Sequence, residues 1–118
     1  MNNKFKKYFT DVLYIGLDIH KSFTVAHVLN QFGKKVMSTN IRGHWENIFA
    51  FLLGIPGELH MCYEASNGYG YLYDNISKIA KSVQVAHSGH CRLIFRSKRK
   101  NNRIDAEKLA KLLYAGRR

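Results

Sequence analysis

Residues Val12 to Ile19, VLYIGLDI, form a run with a single charged side chain, and that run constrains the fold more than any other feature of the chain. A strand with apolar residues at nearly every position buries both of its faces, so it belongs inside a sheet covered on two sides. Asp18 sits near the end of this strand. A carboxylate taken out of water needs an ion pair, hydrogen bonds or a metal, because a lone buried charge costs several kcal/mol or more. A strand-end turn, a salt bridge and a metal site would each answer that need.

The flanking sequence extends the sheet. Residues 1–11 read as a short polar arm. Phe23 to Leu29 is rich in aromatic and β-branched residues and suits a second strand, and NQFGKK, with Gly33 free to take positive φ, turns into a third at about Lys35 to Ile41. These three strands make an antiparallel meander. Trp45, Ile48, Phe49 and Leu52 then fall on one helical face, and GIPG ends that helix. Leu59 to Ala65 reads as a fourth strand, Tyr69 to Ala80 returns to helical spacing, and SVQVA is a fifth strand. A last helix is expected over about Arg103 to Ala115, with Leu109, Leu112 and Leu113 inward. The chain order βββαβαβα predicts an α/β domain with a mixed sheet and helices on its faces.

With 118 residues, the chain has room for one compact core. The unusual quantity is charge: 19 Lys and Arg against 8 Asp and Glu give +11, which favours a polyanion as partner, nucleic acid ahead of an acidic membrane surface. The basic start followed by apolar residues superficially resembles a secretory signal, but Asp11 and Asp18 interrupt it and no small-residue cleavage site follows. No stretch approaches the roughly 18 apolar residues of a spanning helix, so a cytoplasmic location is expected. Cys62 and Cys91 are too few for a disulfide framework and are expected to stay reduced.

Glu64, in MCYEASNGYGY, ends a second apolar strand as Asp18 ends the first. If the two strands are neighbours, the carboxylates meet, and close carboxylates repel unless a cation lies between them. Mg²⁺, a hard ion with oxygen ligands, is the economical choice. A third acid, Asp105, lies in RKNNRIDAEKLAKLL, three residues after Asn102, so both project from one face of a helical first turn. Asn102 as N-cap with Asp105 at N3 is an equally good account of that pair, since an acid at N3 suits the helix dipole.

Taken together, YIGLDIHKS, MCYEASNGYGY and KNNRIDAEKLAKLL resemble the amino-terminal domain of the IS110/IS1111 family of transposases, which includes the Piv-type DNA invertases. The resemblance runs over nearly the whole chain. It implies an RNase H-like (RuvC-like) fold over residues 12–118, with four acids in the order Asp, Glu, Asp, Asp that bind Mg²⁺ (with Mn²⁺ as substitute) for DNA cleavage and strand transfer in transposition. Position by position, the first acid is Asp18, the second Glu64 and the fourth Asp105, and the third falls on Asn102. An amide offers a metal one neutral oxygen and no charge, so the site is expected to be weakened. The family also has a carboxy-terminal domain with a serine nucleophile. This chain ends at YAGRR, which implies a fragment impaired in recombination. The resemblance further implies DNA and an element-encoded guide RNA as partners, a homo-oligomeric parent protein and a bacterial, nucleoid-associated location.

Arg92, Arg96, Lys98, Arg99, Lys100 and Arg103 lead into Asp105. Such a run is either a solvated face or a track for phosphates that delivers nucleic acid to the acids. Among Tyr69, Tyr71 and Tyr73, helical spacing assigns Tyr69 and Tyr73 to the core and leaves Tyr71 as the surface candidate for base stacking. His87, His90, Cys91 and Cys62 fit no common zinc spacing, and His20 lies close enough to Asp18 to share its site. Three rival readings remain. One is an actin-like or sugar-kinase-like ATPase fragment, suggested by IGLDIHKSFTVAHVLNQFGK but lacking a second glycine-rich phosphate loop. The others are a non-catalytic RNA- or DNA-binding module and a junction resolvase of the same fold.

Overall fold

A computed structural model of the protein describes residues 11–64, 69–86 and 105–116, and the side chain of Tyr69 is not among the described ones. Strands β1 (Val12–Ile19), β2 (Phe23–Leu29) and β3 (Lys35–Arg42) come first in the chain, followed by helix α1 (Trp45–Leu53). Then come β4 (Glu58–Glu64), α2 (Tyr69–Ile76), β5 (Ser82–Ala86) and α3 (Ala106–Ala115). In space the strands lie in a different sequence, β3-β2-β1-β4-β5, one five-stranded mixed sheet. β1 pairs antiparallel with β2 and parallel with β4, so the most apolar strand is central. β2–β3 is antiparallel and β4–β5 parallel.

The connections follow from local chemistry. Between β2 and β3, the Asn30 side-chain oxygen accepts from the backbone N–H groups of Phe32 and Lys34, and Gly33 takes φ 79°. β3 is an edge strand with most side chains exposed, and Lys35 and Arg42 place charge where another strand would otherwise dock.

Side-chain alternation along β1 divides the core in two. Leu13, Ile15 and Leu17 point to one face and pack with Leu59, Met61 and Tyr63 of β4, Ile48 and Leu52 of α1, and Leu72 and Ile76 of α2. Tyr14 points to the other, where Leu29, Cys62 and Ala86 meet Leu109, Ala110 and Leu113 of α3. Helices therefore cover both faces, as the apolar run requires.

The helices depart from the sequence-based expectations in three places. α2 stops at Ile76 and continues as turns, so Ala80 reaches the core from outside the helix. Tyr73, expected in the core, is 43% exposed, and Tyr71 is 53% exposed. Leu72 and Ile76, one turn apart, take the inward line of the helix, and Tyr73, the residue after Leu72, is turned about 100° away from it. α3 begins at Ala106 rather than about Arg103, and Leu112 is only half-buried because Leu109 and Leu113 take the inward line. No described helix is long and apolar enough to cross a membrane.

Candidate functional site

Asp18 follows Tyr14 and Gly16 at steps of two, so its side chain lies on the α3 face of β1. Glu64 follows Cys62 in the same way on β4. The last paired positions of these parallel strands are Leu17 and Tyr63, so Asp18 and Glu64 come next, side by side on strands about 4.8 Å apart. The sheet thus brings together the first two sequence-predicted acids at the carboxyl ends of neighbouring parallel strands.

Asp18 is mostly shielded, its side chain 11% exposed, and its Oδ2 lies 3.0 Å from His20 Nε2. His20 is held in turn: its ring stacks on Phe23 with centroids 4.3 Å apart, and its backbone N–H donates to the Phe23 carbonyl across the tight β1–β2 connection. Of the three accounts open for Asp18, a strand-end contact with a histidine is therefore present, and it leaves the carboxylate at the mouth of the sheet. Glu64 is half-buried.

Gly16 decides where the third acid goes. A Cβ at this position would collide with the Ala106 carbonyl oxygen and lie 2.5 Å from the Ala110 nitrogen and 2.9 Å from Leu109 Cβ, so only glycine lets the α3 backbone rest on β1. The far end of α3, Leu113 and Gly116, lies beside Val12 and Tyr14. The helix consequently runs opposite to β1, and its first turn lies at the end of the face that carries Asp18 and Glu64. Asp105 is there, exposed, as the N-cap itself: φ −77° and ψ 170° are extended, and Oδ1 accepts from the Lys108 N–H at 2.9 Å. Asp105 is therefore the cap of α3 and is not at N3. The helix starts later than the sequence reading placed it, and the shorter-range acid takes the capping role.

Asp18, Glu64 and Asp105 share one face and one end of the sheet without forming a closed cage. Among the described residues, no group of three or more His, Cys, Asp or Glu side chains is close enough to hold a metal ion. Asn102 and the basic run Arg92, Arg96, Lys98, Arg99, Lys100 and Arg103 lie outside the described residues, as do His87, His90 and Cys91. Cys62 is a buried thiol within the sheet.

Two groups on this face escaped the sequence reading. His27, opposite Gly16 on β2, is 7% exposed. Burial pushes its pKa below the ordinary value, against the pull of Glu107; Lys35 and Lys111 add to the lowering and Asp105 opposes it. The second group is Glu58 and His60 at the start of β4, where polar residues at 58, 60 and 64 interrupt an apolar strand at a period of two. That alternation was the available signal, since it places three polar side chains on one face. On the opposite side of the sheet Trp45 stacks on Tyr71 with centroids 5.1 Å apart, and His44 lies 4.8 Å from Trp45.

Compared with protein-family models and with the curated proteins, the chain finds no match in either.

Proposed function

We propose that the chain is the RuvC-like, RNase H-type catalytic domain of an IS110/IS1111-type transposase, built for Mg²⁺-dependent DNA strand cleavage and transfer and weakened by Asn102. The observation that carries this reading is the convergence of Asp18, Glu64 and the Asp105 end of α3 at one end of one sheet face. The antiparallel meander followed by two parallel strands supports it as the frame that the resemblance implies.

The donor set suits a hard divalent ion, since all three side chains offer carboxylate oxygens and no thiolate stands among them. Asp18 and Glu64 would hold Mg²⁺ from the rigid sheet, and Asp105 from the first turn of α3. When bound, Mg²⁺ supplies Lewis-acid stabilisation of the charge that develops on the attacking and leaving oxygens of a phosphodiester. The chain's own residues do the positioning. His20 orients the Asp18 carboxylate through its hydrogen bond, and Gly16 sets the depth of α3 and with it the reach of Asp105. Arg92, Arg96, Lys98, Arg99, Lys100 and Arg103 would track phosphates, giving salt-sensitive binding of DNA and of a guide RNA. The +11 charge supports that class of partner. The parent protein is proposed to act as a homo-oligomer in the bacterial cytoplasm, on the nucleoid.

A second reading, a non-catalytic nucleic-acid-binding module, is favoured by two observations: the Asp105 carboxylate caps its helix, and no three-donor group is assembled among the described residues. Calorimetric titration of Mn²⁺ separates the two. The catalytic reading expects weak binding to the natural chain, at least tenfold tighter binding to Asn102→Asp, and none to Asp18→Asn. Equal silence from all three would remove the metal site and leave the binding module.

A further inference from the structure

The other end of the α3 face carries a separate polar array. Glu58 and His60 are two residues apart on β4 and share that face, and Ser82, the first residue of β5, is the register partner of His60. His60 Nε2 lies 2.8 Å from Glu58 Oε2, and its Nδ1 lies 2.6 Å from Ser82 Oγ. The chemistry of the partners fixes the protons. A carboxylate can only accept, so Nε2 carries hydrogen and donates to Glu58, and in the neutral ring the Nδ1 lone pair is then free to accept the Ser82 hydroxyl proton.

The imidazole is fixed in plane as well as in tautomer. Tyr14 stacks on it with centroids 5.4 Å apart and planes 18° apart, and Tyr114 meets Tyr14 edge-on at 5.3 Å. A groove of about 460 Å³ runs past the three polar groups, walled by Val12, Tyr14 and Leu113. That volume is in the range that takes small organic ligands. His60 and Glu58 keep 20% and 31% of their side-chain surface exposed, so the array is reachable from the groove. A serine–histidine bond alone would suffice to tie β4 to β5. The carboxylate behind the histidine, the stacked ring and the open groove are what nucleophilic catalysis adds.

We propose that Ser82 is an activated nucleophile, with His60 as its general base and Glu58 as the positioning residue, acting on small esters whose apolar acyl group seats against Val12 and Leu113. The Ser82 Oγ–carbon bond forms as the hydroxyl proton passes to His60 Nδ1, and the ester C–O bond then breaks as that proton moves to the departing alkoxide. Water attacks the acyl-serine by the same route, giving up a proton to Nδ1 and releasing the carboxylic acid with Ser82 restored. The site is remote from Asp18 and Glu64 and is independent of any metal there.

The test is intact-mass analysis of the full chain after exposure to a fluorophosphonate probe, with p-nitrophenyl butyrate hydrolysis in parallel. The expected result is a single adduct on Ser82, absent in Ser82→Ala, with hydrolysis falling at least tenfold in that variant. His60→Gln should slow labelling at least a hundredfold, and Glu58→Gln should slow it about tenfold. Ser82→Cys, which preserves a nucleophile of similar size, should be alkylated by iodoacetamide ahead of buried Cys62, a control that holds even if Ser82→Ala folds poorly. Absent labelling, labelling on other serines, or rates indifferent to His60→Gln would overturn the proposal.

Discussion

The two faces of the sheet are built on different terms. Under α1 and α2 the face is dry, with Leu13, Ile15, Leu17, Met61, Tyr63, Leu72 and Ile76 buried together, and Thr24 is the buried polar side chain that alternation puts there. Under α3 the strands present Gly16, Asp18, His27, His60 and Glu64 to a single helix. Each polar group there displaces aliphatic packing and has to be satisfied, and among the described residues no buried side-chain nitrogen or oxygen lacks a partner. The contrast is one of composition: one face is almost wholly aliphatic and aromatic, and the other gives up part of that packing to polar side chains at both ends of α3.

The largest effect should come from the dry face. Leu17→Ala removes a fully buried side chain and should cost about 3 to 4 kcal/mol in denaturant unfolding. It should leave any Mn²⁺ affinity unchanged under conditions where the variant is folded. Gly16→Ala attacks the other face through backbone atoms that cannot rotate away, and should cost about 2 to 3 kcal/mol by the same measurement. Unlike Leu17→Ala, it should also weaken metal binding, since relief requires α3 and Asp105 to move. Asp105→Ala removes the cap bond to Lys108 and should cost about 1 kcal/mol.

The smallest effect should be a pH dependence. The pKa of His27 in the folded chain lies below its ordinary value of 6.5, so as pH falls the unfolded chain takes up the proton first. Its contribution to stability is complete above about pH 6.5 and declines as pH drops through the lowered folded value. Melting curves across that window should show the decline, and His27→Gln should flatten it.

The dry face was legible in the sequence because it is written locally. The apolar run Val12–Ile19 and the inward positions Ile48 and Leu52 follow from spacing alone. The candidate site was legible only in part. Asp18 and Glu64 stand out because acids end otherwise apolar strands, but their adjacency depends on β1 and β4 pairing in parallel across two intervening strands and a helix. Asn102 and Asp105 are both good capping residues, and local propensity does not choose between starts three residues apart, so the place of Asp105 as N-cap is visible only in the structure. The Glu58–His60–Ser82 array depends on the β4–β5 register, which joins residues 22 positions apart, and no local pattern specifies that distance. Gly16 reads in sequence as a weak point in a strand. Its reason, contact with the α3 backbone, appears only once that helix is seated.

On the proposed reading, Asp18, Glu64 and Asp105 act as one metal site at one end of the α3 face. Paramagnetic broadening of backbone amide signals by Mn²⁺, in the natural chain and in Asn102→Asp, tests it most directly. Broadening should be confined to the amides around Asp18, Glu64 and Asp105 and be stronger in Asn102→Asp, with Glu58 and His60 unaffected. Broadening centred on Glu58 and His60, or spread without preference over the exposed acids, would contradict it.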